Sequence, residues 1–244
     1  MAATENLIAL YNLEEQLRAT SLAVIQADAD LSEHWYLVAE ATTAIYAFSH
    51  DHVHVSEDEL VLQLLGIRLF NAAGASIKLG LSGYYQKAFH PIRDVIETSF
   101  LVDYLKTHPE EIDEWRSADR KKRMSYFGPR RIRDVLDKRD GYTSGERKRI
   151  YDTISEYATH ASYPGVTLTT TGAANLPQVG PFFDEKKLRA WLGEMAIRLS
   201  LAAMQLLPNA DANDVKLLVA QAHYAGVCNK WWSKYRGTKP QAVP

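Results

Sequence analysis

Apolar residues recur at helical spacing along almost the whole chain. Leu7, Leu10, Tyr11, Leu13, Leu17, Leu22 and Ile25 keep a 3.6-residue period behind Thr4, a suitable N-cap. Trp35, Val38, Ala39, Thr42, Ile45 and Tyr46 repeat the pattern behind Ser32. Ser56 and Glu59 have the spacing of a capping box and open a long apolar stretch from Leu60. That stretch passes Ala72, Ala73, Gly74 and Ala75, small residues that would let a neighbouring helix approach closely. Beyond Gly80 and Gly83, a helix carrying Tyr84, Tyr85, Phe89, Ile92, Ile96, Phe100, Leu101 and Leu105 is expected to kink at Pro91 and to end at His108 and Pro109. These two helices are expected to form the central hairpin.

Shorter helical segments follow at Ile112 to Trp115, Asp119 to Tyr126 and Arg130 to Arg139, separated by the break at Gly128 and Pro129, with a turn at Asp140 and Gly141. A helix from Glu146 to Ala161 leads into one long irregular segment, 162–183, where Val166 to Thr171 alternates and is rich in Thr, the signature of a small β-hairpin. Loops longer than roughly 12 to 15 residues are uncommon in compact domains and often functional. Asp184 then caps a helix to Leu207, and Asp211 or Asn213 starts the last one, through Val215, Leu218, Val219, Ala222 and Trp232. The pattern predicts an all-α, single-domain helical bundle of about eight to nine helices over 1–244, with a frayed tail at 237–244.

Composition adds little to this picture, but charge adds a good deal. From Met1 to Ile67 one basic residue faces eleven acids; from Arg116 to Arg149 thirteen Lys and Arg face five acids, in a chain whose total charge is −2. Such sorting points either to a polyanionic partner or to charge-matched contacts within or between subunits. In the basic block, Arg120, Lys121, Lys122, Arg123, Arg130, Arg131 and Arg133, with Tyr126 and Phe127 interleaved, have the density a phosphate-backbone contact needs. The alternative is a solvated face or structural ion pairing. RNA or DNA and a second copy of the chain are the expected partners; no helix-turn-helix is evident.

Other candidates are local. Arg93 and Glu97 lie one turn apart on a half-buried helix, where an Arg needs a partner, and His160, at the mouth of the long loop, could move protons beside them in an acid/base or phosphate-cleaving site. A polar lock between helices is the other reading. His50, His52 and His54 stand at alternate positions that an extended chain would bring together, yet they read as a polar loop, and no metal or other cofactor is expected. Tyr224, Trp231, Trp232 and Tyr235 share the last helix; adjacent Trp residues point about 100° apart, so one can be core while the other covers a neighbouring surface, and the cluster reads equally as a dimer contact or as packing of the tail onto the body. Cys228, the only cysteine, reads as packing; its solitude excludes an intramolecular disulfide and fits a reducing cytosol. With no basic n-region at the start and no apolar run approaching the roughly 20 residues of a membrane span, a cytoplasmic protein is expected.

The stretches GYYQKAFHPIRDVIETSFLVDYL, SEYATHASYPG and VGPFFDEKKLRAWL resemble a group of bacterial helical proteins of unknown function and, more remotely, the HEPN helical-bundle superfamily. The resemblance covers the chain from about residue 80 onward. It implies a dimerising helical bundle that binds nucleic acid or cleaves RNA, in toxin–antitoxin or phage-defence settings. The superfamily's nuclease motif, an Arg followed within a few residues by a His, is absent, which favours binding or regulation over cleavage. Arg93 and His160 could rebuild such a pair from separate helices.

Overall fold

The computed structural model of the chain describes residues 2–158, 162–172, 176–207 and 214–237. Among them are eleven α-helices: α1 (Ala2–Ala27), α2 (Ala29–Tyr46), α3 (Glu57–Leu81), α4 (Tyr85–Thr107), α5 (Ile112–Ser117), α6 (Arg120–Ser125), α7 (Pro129–Arg139), α8 (Glu146–Ala158), α9 (Tyr163–Thr167), α10 (Glu185–Leu206) and α11 (Val215–Arg236). The all-α expectation holds; the count of eight to nine does not. The short segments expected around Ile112 and Asp119 are present as the separate helices α5 and α6; the unexpected helix is α9, which lies inside the segment expected to be irregular, started by Ser162, whose hydroxyl accepts from the Gly165 N–H. The small hairpin is present as two-residue strands, β1 (Thr170–Thr171) and β2 (Leu176–Pro177), paired antiparallel.

Caps place several boundaries differently from the periodicity. Helix α1 begins before Thr4, and α2 begins at Asp28, whose carboxylate accepts from the Leu31 N–H, while the Ser32 hydroxyl instead donates to the Ile25 carbonyl. Ser56 caps α3 as expected, and Asp184 caps α10. Asp214 caps α11; Asp211 and Asn213 lie outside the described residues, as does the tail 238–244. Gly237 closes α11 in the left-handed conformation.

Helices α3 and α4 form the expected central hairpin, and α10 packs against both and against α2. Helix α11 covers the outer side of α2, while α7 and α8 lie along α4. Close approach is real but does not use Gly74, around which a Cβ would meet nothing; it uses Gly80, where a Cβ would overlap the Trp191 ring. The buried indole donates to the Ser76 hydroxyl, which donates onward to the Ala88 carbonyl, so α10, α3 and α4 share one satisfied polar chain in an apolar centre. Gly83, at φ +84° and against the Phe182 backbone, makes the tight connection from α3 to α4.

One further expectation changes. Helix α3 is long and apolar enough to cross a membrane by length and composition, although 44% of its most apolar window is buried inside the bundle, where Gln63 bonds the carbonyls of Phe48 and His52. Trp231 and Trp232 are both buried, 5% and 9% exposed, so this end of α11 packs onto the body; their indoles donate to His34 and to the Ser200 hydroxyl. Cys228 is buried beside Met204, and burial pushes its thiol pKa up.

Candidate functional site

The acidic N-terminal block is spent inside its own chain. Asp28 pairs with Arg189, Asp30 and Glu33 with Lys234, and Glu40 with His223, so α10 and α11 absorb most of the charge of α2. Its single described contact with the basic block is Glu57 to Arg116, 3.0 Å. The basic block therefore has to find its other acids outside the N-terminal block.

From Arg139 onward it finds them. Arg139 and Arg147 converge on Asp103, Asp137 and Asp140, which ties α4, α7 and α8 together; the Arg147 side chain is 10% exposed and makes a 2.9 Å contact with Asp137 and a shorter one with Asp140. Arg139, against the opposing effect of burial, and then Arg147 hold the Asp140 carboxyl below its usual pKa. Within α8, Lys148 pairs with Asp152 and Arg149 with Glu146.

The seven predicted contact residues behave otherwise. Arg120 and Lys121 are exposed on α6 with no carboxylate partner among the described residues. Lys122 pairs with Glu114, and Arg130, 91% exposed at its side chain, has Asp134 at 3.9 Å. Arg123 donates to the Ala118 carbonyl at 2.7 Å. Arg131 lies 3.6 Å over the Tyr126 ring and donates to the Tyr126 carbonyl and the Tyr104 hydroxyl. Arg133 is buried, with its guanidinium 4.2 Å from the centre of the Tyr151 ring. Phe127 is in the core and Tyr126 bonds Glu111, so neither interleaved aromatic is a free platform for bases.

Arg93 and Glu97 do meet, at 3.0 Å, and each side chain is a little over a quarter exposed. Arg93 also donates to the Tyr151 hydroxyl, its guanidinium 4.8 Å from that ring. Tyr151 on α8 thus sits between two arginines from α4 and α7. His160 lies outside the described residues. Sequence reasoning missed Tyr151: its place in the middle of α8 is visible, but which helix crosses it depends on the packing of α4 and α7.

The three spaced histidines do not converge. His50 bonds Asp51, and His52 lies between Asp214 at 2.6 Å and Glu59 at 3.1 Å. Burial opposes a charge on His52, but the two carboxylates outweigh it and raise its pKa. Among the described residues no group of three His, Cys, Asp or Glu side chains is arranged to hold a metal ion.

Set against known protein families, curated proteins and solved structures, the chain finds no match in any of the three. The resemblance to HEPN proteins gains no support there, and the reading of this site rests on its own geometry.

Proposed function

We propose that this protein is a cytoplasmic helical module that binds RNA, DNA or a similar polyanion through the face formed by α6, α7 and the α4 seam beside them. The observation that carries the reading is the uneven neutralisation of the basic block: Arg120, Lys121, Arg123, Arg131 and Arg133 have no carboxylate partner among the described residues, whereas Arg139, Arg147, Lys148 and Arg149 all do. Uncompensated cations on one face are what a phosphate backbone needs, and each phosphate they neutralise releases counterions. Fluorescence anisotropy against a generic single-stranded RNA and a DNA duplex tests it. Affinity is expected to fall by orders of magnitude between about 50 and 200 mM salt. Absence of binding at the lower salt removes the proposal.

A hydrolase acting on phosphodiesters is the second reading, supported by the contact of Arg93 with Glu97 at a partly exposed seam. In it Arg93 holds charge on the substrate and Glu97 or His160 moves the proton. Cleavage of RNA, DNA or nucleotides by purified protein, lost in Glu97→Gln and in His160→Ala, would establish it; intact substrates with and without divalent metals would dismiss it.

Self-association has its own support. The first half of α1 is exposed, with Leu7 and Ile8 54% and Tyr11 61% accessible. A helix of about 12 to 15 residues is marginal on its own in water, so an unburied apolar stripe there suits a second copy. Sedimentation is expected to show a dimer that Leu7→Glu with Tyr11→Glu converts to monomer; a native monomer at high concentration would exclude it.

A further inference from the structure

We infer that the seam where α4, α7 and α8 meet is a binding site for a phosphate-sized oxyanion, held by Arg133, Ser155 and Arg93. The inference rests on the polyanion reading for the identity of the ligand, as the point at which one phosphate of the chain would be anchored. Helix α4 presents His90, Arg93 and Glu97 on successive turns, and α8 presents Ala158, Ser155 and Tyr151 opposite them: His90 bonds the backbone at Ala158, and Arg93 bonds the Tyr151 hydroxyl. Arg133 enters from α7 onto the same Tyr151 ring.

Polar atoms in this seam are buried and idle. Arg133, only 7% exposed, makes no hydrogen bond from Nε or Nη1; Ser155 Oγ, in a residue 3% exposed, and His90 Nε2 make none either. Outside the seam, Ser49 Oγ is the one other such atom among the described residues. Buried donors in a native fold are nearly always satisfied, and a buried guanidinium without an anion is strongly disfavoured. Among the described residues Arg133 has no carboxylate partner, and Glu97, the acid that meets Arg93 at this seam, is already engaged there. Two planar forks and a hydroxyl on three helices match the several oxygens of a phosphate better than the single face of a carboxylate. Access is given by the partly exposed side chains of Arg93 and Glu97.

The test uses the full chain and inorganic phosphate. Phosphate is expected to raise the melting temperature saturably by several degrees over sodium chloride of equal ionic strength, as a ligand bound only by the folded state must. Arg133→Met is expected to abolish that gain. Ser155→Ala, which removes a hydroxyl that bonds nothing in the free protein, should leave the fold intact and weaken phosphate about tenfold, the effect of one hydrogen bond to a charged group; it carries the test if the first variant fails to fold. Equal melting temperatures in phosphate and chloride overturn the site, and so does a gain that both variants keep. Anisotropy with RNA separates this from the wider reading. A phosphate gain in a protein that ignores RNA supports the site and removes the polyanion; RNA binding untouched by Arg133→Met, with no phosphate gain, removes the site alone.

Discussion

Two stretches of one basic block, joined within α7, handle their charge in opposite ways. At the end of α7 and in α8, Arg139 and Arg147 are surrounded by Asp103, Asp137 and Asp140, and the cations act as fasteners between helices. At the start of α7 and in α6, Arg133 is buried against an aromatic ring, Arg131 is held by tyrosines, and Arg120 and Lys121 face solvent without acids. The two stretches look alike in sequence. What separates them is where α4 delivers its carboxylates: Asp103 reaches the far end of α7, whereas at the near end α4 offers Glu97, already committed to Arg93. A run of Lys and Arg therefore says little about function until the acids opposite it are known.

The largest test of the contrast removes a fastener. Arg147→Met leaves Asp137 buried without its partner and is expected to cost about 3 to 5 kcal/mol in urea unfolding, the penalty of breaking a buried pair from one side. A loss under about 1 kcal/mol would mean that the network is ornamental. The same network should be visible in acid. Because Asp140 is held below its ordinary pKa when folded, its contribution is complete above the unfolded value of about 3.9 and is lost as pH falls through the lower folded value. Native stability is expected to drop in that window, and the drop should shrink in Arg147→Met.

The other stretch should respond less, and partly with the opposite sign. Arg131→Ala removes a ring contact and two hydrogen bonds but strands no acid, so about 1 to 2 kcal/mol is expected in the same assay. Arg133→Met replaces an uncompensated buried cation by an apolar chain of similar length. Stability in chloride buffer is expected to hold or to rise by up to about 1 kcal/mol. A large loss would show that Arg133 is a fastener like Arg147, and the contrast between the two stretches would collapse.

How much of this was legible beforehand follows the same division. Long amphipathic helices, the capping residues Ser56 and Asp184 and the α3 to α4 hairpin could be read from period and cap chemistry, because those are local. Asp28 displaced Ser32 as a cap because both residue types suit the role and the turn geometry chose between them. Arg93 with Glu97 was readable as a one-turn pair. Tyr151, the idle hydroxyl of Ser155 and the burial of Arg133 were not, since each depends on three helices meeting far apart in sequence. Burial of both Trp231 and Trp232 has the same origin: α11 is covered by α2 on one side and reaches Ser200 of α10 on the other.

The smallest expected effect on stability belongs to the exposed cations of the face proposed to bind. Arg120, Lys121 and Arg130 are exposed, and none makes a close ion pair, the nearest acid being Asp134 at 3.9 Å from Arg130. Surface substitutions of this kind usually stay within about 0.5 kcal/mol, so Arg120→Glu, Lys121→Glu and Arg130→Glu together are expected to unfold close to the native midpoint. Their charge, however, changes by six units on the face that a phosphate backbone would meet. Long-range attraction and counterion release both depend on that charge, so affinity for RNA and its salt dependence should fall together. Reversing three cations in the fastened stretch instead would unfold the protein before binding could be measured. Only a face whose cations carry no structural duty can lose binding and keep its fold; if the triple variant binds RNA with native salt dependence, the unneutralised cations of α6 and α7 are solvated bystanders, and the function lies on another surface.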